Sequence, residues 1–399
     1  MFKGKAGKLI FKIFFAILIG SILGIILPKA NLGIFSLRGL ITFSDLFSQF
    51  ISFFVPIVVL TLVLPGIIEL GMKASKLLLL AIIISYSSML IAGFASFFVG
   101  EMFIEQLFSN LKISSIGESS TEYKGFLPHI LSPFLDVVGA IVLAFSFGIA
   151  FASIKSESIL KITKDIESAV YIILQKFLIP VLPFYILCIF AKLASNGNFI
   201  ASLQSFGLIM IVIFLISNSL TILLIFLTSI VCKKKFLHIL KAYIPTYLVA
   251  LGTQSSKATI PISIESANDI GISKEISEFG IPLLATIHLL GSVVTQIFGA
   301  MAIYYIFIGQ MIDQSLLISY IFLIATILLA APGIPGGEPV ATKPLLTSFL
   351  GFPPIVAEAM FTLGIANDSF ATSINVSSDS YILIILDKLN SKFFKKNVK

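Results

Sequence analysis

Leu328–Val340 reads LLAAPGIPGGEPV, and Gly364–Ser380 reads GIANDSFATSINVSSDS. Both lie among apolar runs, yet both are crowded with glycine, proline or hydrogen-bonding side chains. Two more stretches share that character: Tyr247–Ile260, YLVALGTQSSKATI, and Ile281–Gln296, IPLLATIHLLGSVVTQ. In hydrocarbon a backbone N–H or C=O has no water to pair with. Irregular backbone is tolerated there only where protein buries it or a wet cavity reaches it. Four such patches within about 130 residues therefore mark a site. They also recur in order. A Ser-rich apolar hairpin, about 236–264, precedes a span broken at Thr286–Ser292. A Gly/Pro-rich hairpin, about 315–350, precedes a span broken at Asn375–Asp379. Each hairpin limb reads as about half a bilayer long.

The rest of the chain fits a lipid solvent. Of 399 residues 57% are hydrophobic and 12% charged, and the mean hydropathy is +1.07. A soluble domain carries roughly 25% charged residues. Six stretches reach the roughly 20 apolar residues that a membrane helix needs: Leu9–Leu27, Phe43–Leu64, Leu77–Val99, Pro133–Ile154, Ala169–Leu193 and Leu203–Val231. The first has a basic start but is long and lacks a small-residue cleavage site, so it reads as an uncleaved helix. Lysines cluster between alternate spans, at Lys73 and Lys76, Lys155 to Lys164, Lys233 to Lys241, and Lys388 to Lys399. That pattern places both termini in the cytoplasm, with the chain in the inner membrane. The formal charge of +7 is then topological, and no nucleic-acid partner is expected. The loop 101–127 reads as external, and Asp136 as part of a wet helix break after Pro133. Cys188 and Cys232, like His129, His238 and His288, show no disulfide framework or transition-metal spacing. No cofactor is expected. An intramembrane enzyme is disfavoured, because no Ser-His pair or H-E-x-x-H is present.

Paired hairpins and broken spans follow the inverted-repeat pattern of secondary transporters, whose interrupted segments converge on a midplane site. Four segments carry a closer resemblance. One is Gln254-Ser255-Ser256-Lys257-Ala258-Thr259-Ile260-Pro261, a Ser-rich hairpin tip. The next, His288-Leu289-Leu290-Gly291-Ser292 followed by Gln296, stands where N-M-D-G-T is usual. Then comes Gly333-Ile334-Pro335-Gly336-Gly337-Glu338, a second hairpin tip. The last, Asp368 to Asp379, follows D-x-x-R-T-x-x-N-V-x-G-D. In that order and spacing the chain resembles the dicarboxylate/amino-acid:cation symporters, the glutamate-transporter homologues.

The resemblance implies an all-α polytopic membrane protein of eight transmembrane helices and two re-entrant hairpins. It implies an elevator-type homotrimer that moves glutamate, aspartate or a small neutral amino acid with sodium or protons. Residues 1–235 would be mainly scaffold and trimerisation helices, 236–388 the transport core, and 389–399 a basic tail. The implied substrate ligands are Ser255, Ser256, Lys257, Ser292, Ile334, Pro335, Gly336, Gly337, Asp368, Thr372 and Asn375. Asp368 would take the amino group. The implied cation ligands are Thr286, His288, Leu289, Ala331, Asn375 and Asp379, with an unwound turn at Asn375–Asp379 exposing carbonyls.

The departures are as informative. Leu290 stands where a third family sodium site has its aspartate, and His288 where it has asparagine, so that site is expected to be lost even with Ser87 and Ser88 in the third span. His288 makes proton coupling conceivable beside the plainer reading of a hydrogen-bonded buried histidine. The family arginine that binds acidic side chains aligns with Ala371, and its bracing carboxylate with Gly364. Losing both together avoids an uncompensated buried charge. Two readings stand: a neutral substrate, or Lys257 as a relocated charge. Lys257 and Glu338, in opposing tips, also suggest a latch. A degenerate member that binds or conducts without coupling is the alternative to a symporter.

Overall fold

The computed structural model describes residues 5–30, 33–72, 76–111, 123–128, 130–132, 134–135, 137–195, 199–329 and 336–391. Asp136, His129, residues 112–122 and most of the basic tail lie outside these.

All the regular structure among the described residues is helical. In order come α1 (Lys5–Ile26), α2 (Gly33–Met72), α3 (Lys76–Phe108), α4 (Val137–Ile154), α5 (Glu157–Ile173), α6 (Ile179–Ser195) and α7 (Phe199–Cys232). There follow α8 (Phe236–Thr253), α9 (Ser256–Asp269), α10 (Lys274–Ile287), α11 (Leu290–Ile308), α12 (Gln314–Leu328), α13 (Gly337–Ser348) and α14 (Pro354–Leu389). A single π turn, Leu174–Leu178, joins α5 to α6 as one rod. Among the described residues seven helices are long and apolar enough to cross a membrane, including the α5–α6 and α10–α11 rods and α8. The 36-residue α14 is long enough as well, but its polar residues lower its hydropathy.

The arrangement is inside out relative to a soluble protein. Large apolar side chains of α1, α3, α4, α5 and α7 face outward, among them Phe14, Phe98, Ile149, Ile162 and Ile211. The polar residues gather on α11 and α14 at the centre, where nearly every side chain is buried. Lipid is the solvent that makes this distribution favourable. At the periphery α1 lies directly on α6. A Cβ on Gly20 would stand 2.2 Å from the Leu187 carbonyl oxygen, and one on Gly24 2.3 Å from that of Ala191. Only glycine lets these two backbones touch.

Two helical hairpins flank the centre. In the first, Gln254 takes a left-handed conformation, with φ of 52°, and Ser255 caps α9 by accepting from the Ala258 N–H. Its two ends are clasped together: Lys234 donates to the carbonyls of Ile270 and Gly271 at 2.8 and 2.9 Å, and His238 meets that of Asp269 at 3.0 Å. The second hairpin is α12 and α13, with Gly336 at φ 71° starting α13. The limbs are longer than the half-bilayer that the sequence suggests. At 1.5 Å per residue, α8, with 18 residues, rises about 27 Å and α9, with 14, about 21 Å. Mildly polar residues such as Thr246 and Ser266, bonded to each other at 3.1 Å, extend the limbs past their apolar cores.

One buried charge ties α13 to the peripheral helices. Lys343 donates to Tyr185 Oη on α6 at 2.7 Å and to Ser48 Oγ on α2 at 2.8 Å, over the rings of Tyr185 and Phe361. Glu358 on α14 is buried beside it, with one carboxylate oxygen lacking a partner among the described residues. Removing one member of a buried charge set strands the other, whereas removing both is often close to neutral. Lys343→Met is therefore expected to lower the melting temperature of the detergent-solubilised protein. Adding Glu358→Gln should restore most of the loss; a double variant that melts below the single one would contradict this.

Candidate functional site

The break between α10 and α11 leaves a helix N-terminus in the middle of the bundle. Its N–H groups have no intrahelical partner and no bulk water. Asn375 of α14 supplies the cap. Its Oδ1 accepts from the Gly291 N–H at 2.7 Å and the Ser292 N–H at 3.3 Å, while its Nδ2 donates to Ser292 Oγ at 3.1 Å. Gly291 makes this approach possible. A Cβ there would lie 2.7 Å from the Ala371 carbonyl oxygen.

On the other side of the break His288 is buried and bonded through both ring nitrogens. Nδ1 meets Asp379 Oδ1 at 2.8 Å. Nε2 meets Ser88 Oγ of α3 at 2.9 Å and Tyr381 Oη at 3.3 Å. Ser88 also bonds Tyr381. This is the plainer of the two histidine readings, a hydrogen-bonded buried ring. Ser87, its neighbour on α3, points outward.

The expected unwinding of α14 at Asn375–Asp379 does not occur. The helix runs unbroken from Pro354 to Leu389. Asn367, Asn375 and Asp379 find side-chain or backbone partners on neighbouring segments, and the Ser378 hydroxyl bonds the Asn375 carbonyl within the helix at 2.7 Å. The broken-span unit is thus present once, at His288–Leu289, and the carbonyls of the Asn375–Asp379 turn are used internally.

Both hairpin tips reach α14 at adjacent residues. The Gly336 N–H, at the start of α13, donates to Asp368 Oδ2 at 2.8 Å. Gln254, at the tip of the first hairpin, donates through Nε2 to Ser369 Oγ at 2.8 Å. Thr372 sits one turn after Asp368 and bonds the same carboxylate. Ser256 is buried at the start of α9, Gly337 is buried beside Gly336, and Leu289 is buried at the break. Thr286 spends its hydroxyl on the Leu283 carbonyl at 2.7 Å, inside α10. Ala331, Ile334 and Pro335 lie outside the described residues. The site therefore assembles Asp368, Thr372, Gly336 and the two helix N-termini of α9 and α13 around one level of α14, with Asn375 and Ser292 about two turns on.

The notional latch does not form. Lys257 is exposed, while Glu338 is buried and accepts from Gln296 Nε2 at 2.5 Å. The chain's single arginine, Arg38, is on α2 and donates to the Lys124 carbonyl at 3.0 Å. Ala371 is buried, and a Cβ on Gly364 would meet Pro339 Cγ at 3.0 Å, so α13 fills the space at that position. Sequence reasoning missed Tyr381, the Gln296–Glu338 pair, the Asn367–Thr295 bond at 2.7 Å, and the buried Lys343. Lys343 and Glu338 carried a signal, being ionisable residues in an apolar context; Tyr381 and Asn367 carried none beyond their type.

The sodium:dicarboxylate symporter family matches residues 9–389 of the chain. Among its relatives is the serine/threonine transporter SstT of Acinetobacter baumannii strain AYE, 25% identical over 401 residues, covering 95% of this chain and 96% of the relative. The serine/threonine transporter SstT of strain SDF is 24% identical over 400 residues, with the same coverage. The matched span runs from α1 to the end of α14 and includes the whole site, so this chain is a multi-pass membrane transporter, not an enzyme, and it belongs to the sodium:dicarboxylate symporter family.

Proposed function

We propose that the protein is a sodium-driven symporter of a small, non-acidic amino acid, with serine and threonine the first substrates to test. The observation that carries the reading is a carboxylate, Asp368, with no arginine near it. An acidic side chain needs a cation, and Ala371 and Gly364 supply none. Asp368 suits the substrate ammonium. The N-termini of α9 and α13 suit its carboxylate, since helix N-termini carry partial positive charge and free N–H groups. The two relatives named above are serine/threonine transporters, in line with this choice.

For the cation, the carbonyls at the C-terminal end of α10 lose their helical partners at the break. They offer neutral oxygen ligands of the kind hard cations take, and Asp379 adds negative charge nearby. Leu290 supplies no third ligand set. The family resemblance adds the eight-span, two-hairpin elevator architecture, the homotrimer, residence in the inner membrane and cytoplasmic termini. The clasped ends of α8 and α9 support a hairpin that starts and finishes on one side.

The test is uptake into proteoliposomes under an inward sodium gradient, repeated with a proton gradient alone. Saturable, sodium-dependent serine or threonine uptake is expected, with glutamate and aspartate poor substrates. Uptake of glutamate in preference to serine would overturn the substrate assignment. Drive by protons alone would overturn the sodium assignment, and no gradient-driven uptake of any amino acid would favour a degenerate member.

Asp368→Asn gives a sharper check. The amide oxygen still accepts from the Gly336 N–H, so the fold should hold. A hydrogen bond to a charged group contributes about 1.5–3 kcal/mol, so serine kcat/KM should fall about 10- to 150-fold. Uptake within twofold of wild type would remove Asp368 from the ammonium site.

A further inference from the structure

Glu338 has no part in the site as assigned so far. It stands in the first turn of α13, two residues after the Gly336 that holds Asp368. It is buried. One carboxylate oxygen, Oε1, accepts from Gln296 Nε2, and Tyr320 Oη donates to the other side of that amide at 3.5 Å. Ser292 also hydrogen-bonds this carboxylate, and Asp368 is the charged neighbour that acts on it. The second oxygen, Oε2, is buried without a hydrogen-bond partner among the described residues.

The first turn of a helix tolerates a negative charge. It does not account for an oxygen with no donor among the described residues, because a buried acceptor left unpaired is costly. A bound substrate can supply that donor. Pro339 packs on Gly364 immediately after Glu338, and Gly291 packs on Ala371, so the surroundings are close-packed and leave no room for a long side chain at these positions.

The geometry points to Glu338 as the residue that reads the substrate side chain, with Oε2 accepting a hydrogen bond from the hydroxyl of serine or threonine while Asp368 holds the ammonium. The inference rests on the amino-acid symport reading and deepens it. A site built to accept from a hydroxyl discriminates strongly against an analogue that lacks it. Alanine leaves Oε2 unpaired. Aspartate brings a second negative charge to Glu338 and Asp368. O-methylation of serine keeps the oxygen, removes the proton and adds a methyl group.

Sodium-driven uptake of serine, alanine, O-methylserine, ornithine and aspartate by the full-length protein in proteoliposomes tests this. Wild type should prefer serine to both alanine and O-methylserine by about tenfold or more in kcat/KM. In Glu338→Gln the Gln296 bond keeps the amide oxygen, so an NH2 group turns to the substrate and donates. The preference for serine over O-methylserine should then fall to within about threefold. Equal wild-type use of serine and alanine, or of serine and O-methylserine, would overturn the inference and leave symport intact. So would a serine preference that survives in Glu338→Gln, or ornithine preferred to serine. Absence of any amino-acid uptake would overturn the symport reading and this one with it. Where Glu338→Gln does not fold, the analogue series on wild type decides alone.

Discussion

A helix that starts in the middle of a membrane protein must find donors' partners inside the protein. The N-terminus of α11 is such a start, and Asn375 is its partner. The rest of the core is arranged around that bond. It draws α14 against α11 closely enough that only glycine fits at position 291. It sets the level at which α10 must stop, and so places His288 against Asp379. It fixes the face of α14 that meets the hairpins, since Asp368 and Thr372 lie on the same side, seven and three residues earlier.

That bond also explains why α14 stays helical. The sequence Asn375–Asp379 holds five residues of which four are polar, and in isolation it suggests a break. Polar side chains unwind a helix when they compete for its own backbone. Here Asn375 faces the α11 N-terminus and Asp379 the His288 ring, while Ser378 bonds a carbonyl of its own helix without opening it. One broken helix, α10–α11, is thus complemented by one intact helix that carries the capping groups. In such a pair the dipoles and free carbonyls come from the broken member and the side-chain chemistry from the intact one.

Much of this was legible in the sequence for physical reasons. Apolar spans and half-polar patches follow from the solvent, so five of the six early spans, the two hairpins and the break at His288 could be read from composition and order, whereas Pro133–Ile154 yields only a shorter apolar helix within α4. Asp368 was legible because an intramembrane carboxylate is costly and must have a purpose. The partnering of polar groups was not legible. Whether Asn375 binds a ligand or caps a helix depends on what lies across from it, and that is set by packing between segments about 84 residues apart in the chain. The Lys257–Glu338 pairing failed for the same reason: opposite charges in opposing tips say nothing of which one faces inward. The hairpin limbs were read as too short because hydropathy ends before the helix does, as Thr246 and Ser266 show.

Charge sets the final constraint on the site. With one arginine in the chain, and that one on α2, the core holds carboxylates at Asp368, Glu338 and Asp379, and the only buried lysine among the described residues is turned toward α2 and α6. Uncompensated negative charge in a low-dielectric interior is unfavourable, so these carboxylates favour a proton or a bound cation. In the proposed mode of binding a substrate ammonium would meet Asp368 and a co-transported cation the remainder. Gly336 links this need to the second hairpin. Its N–H holds one oxygen of Asp368, and the start of α13 aims its partial positive charge at the same carboxylate. On that proposal an arriving ammonium and the start of α13 would share one anion. Substrate binding and the position of α13 would then be coupled through a single residue, which is the physical requirement for a hairpin that responds to its substrate.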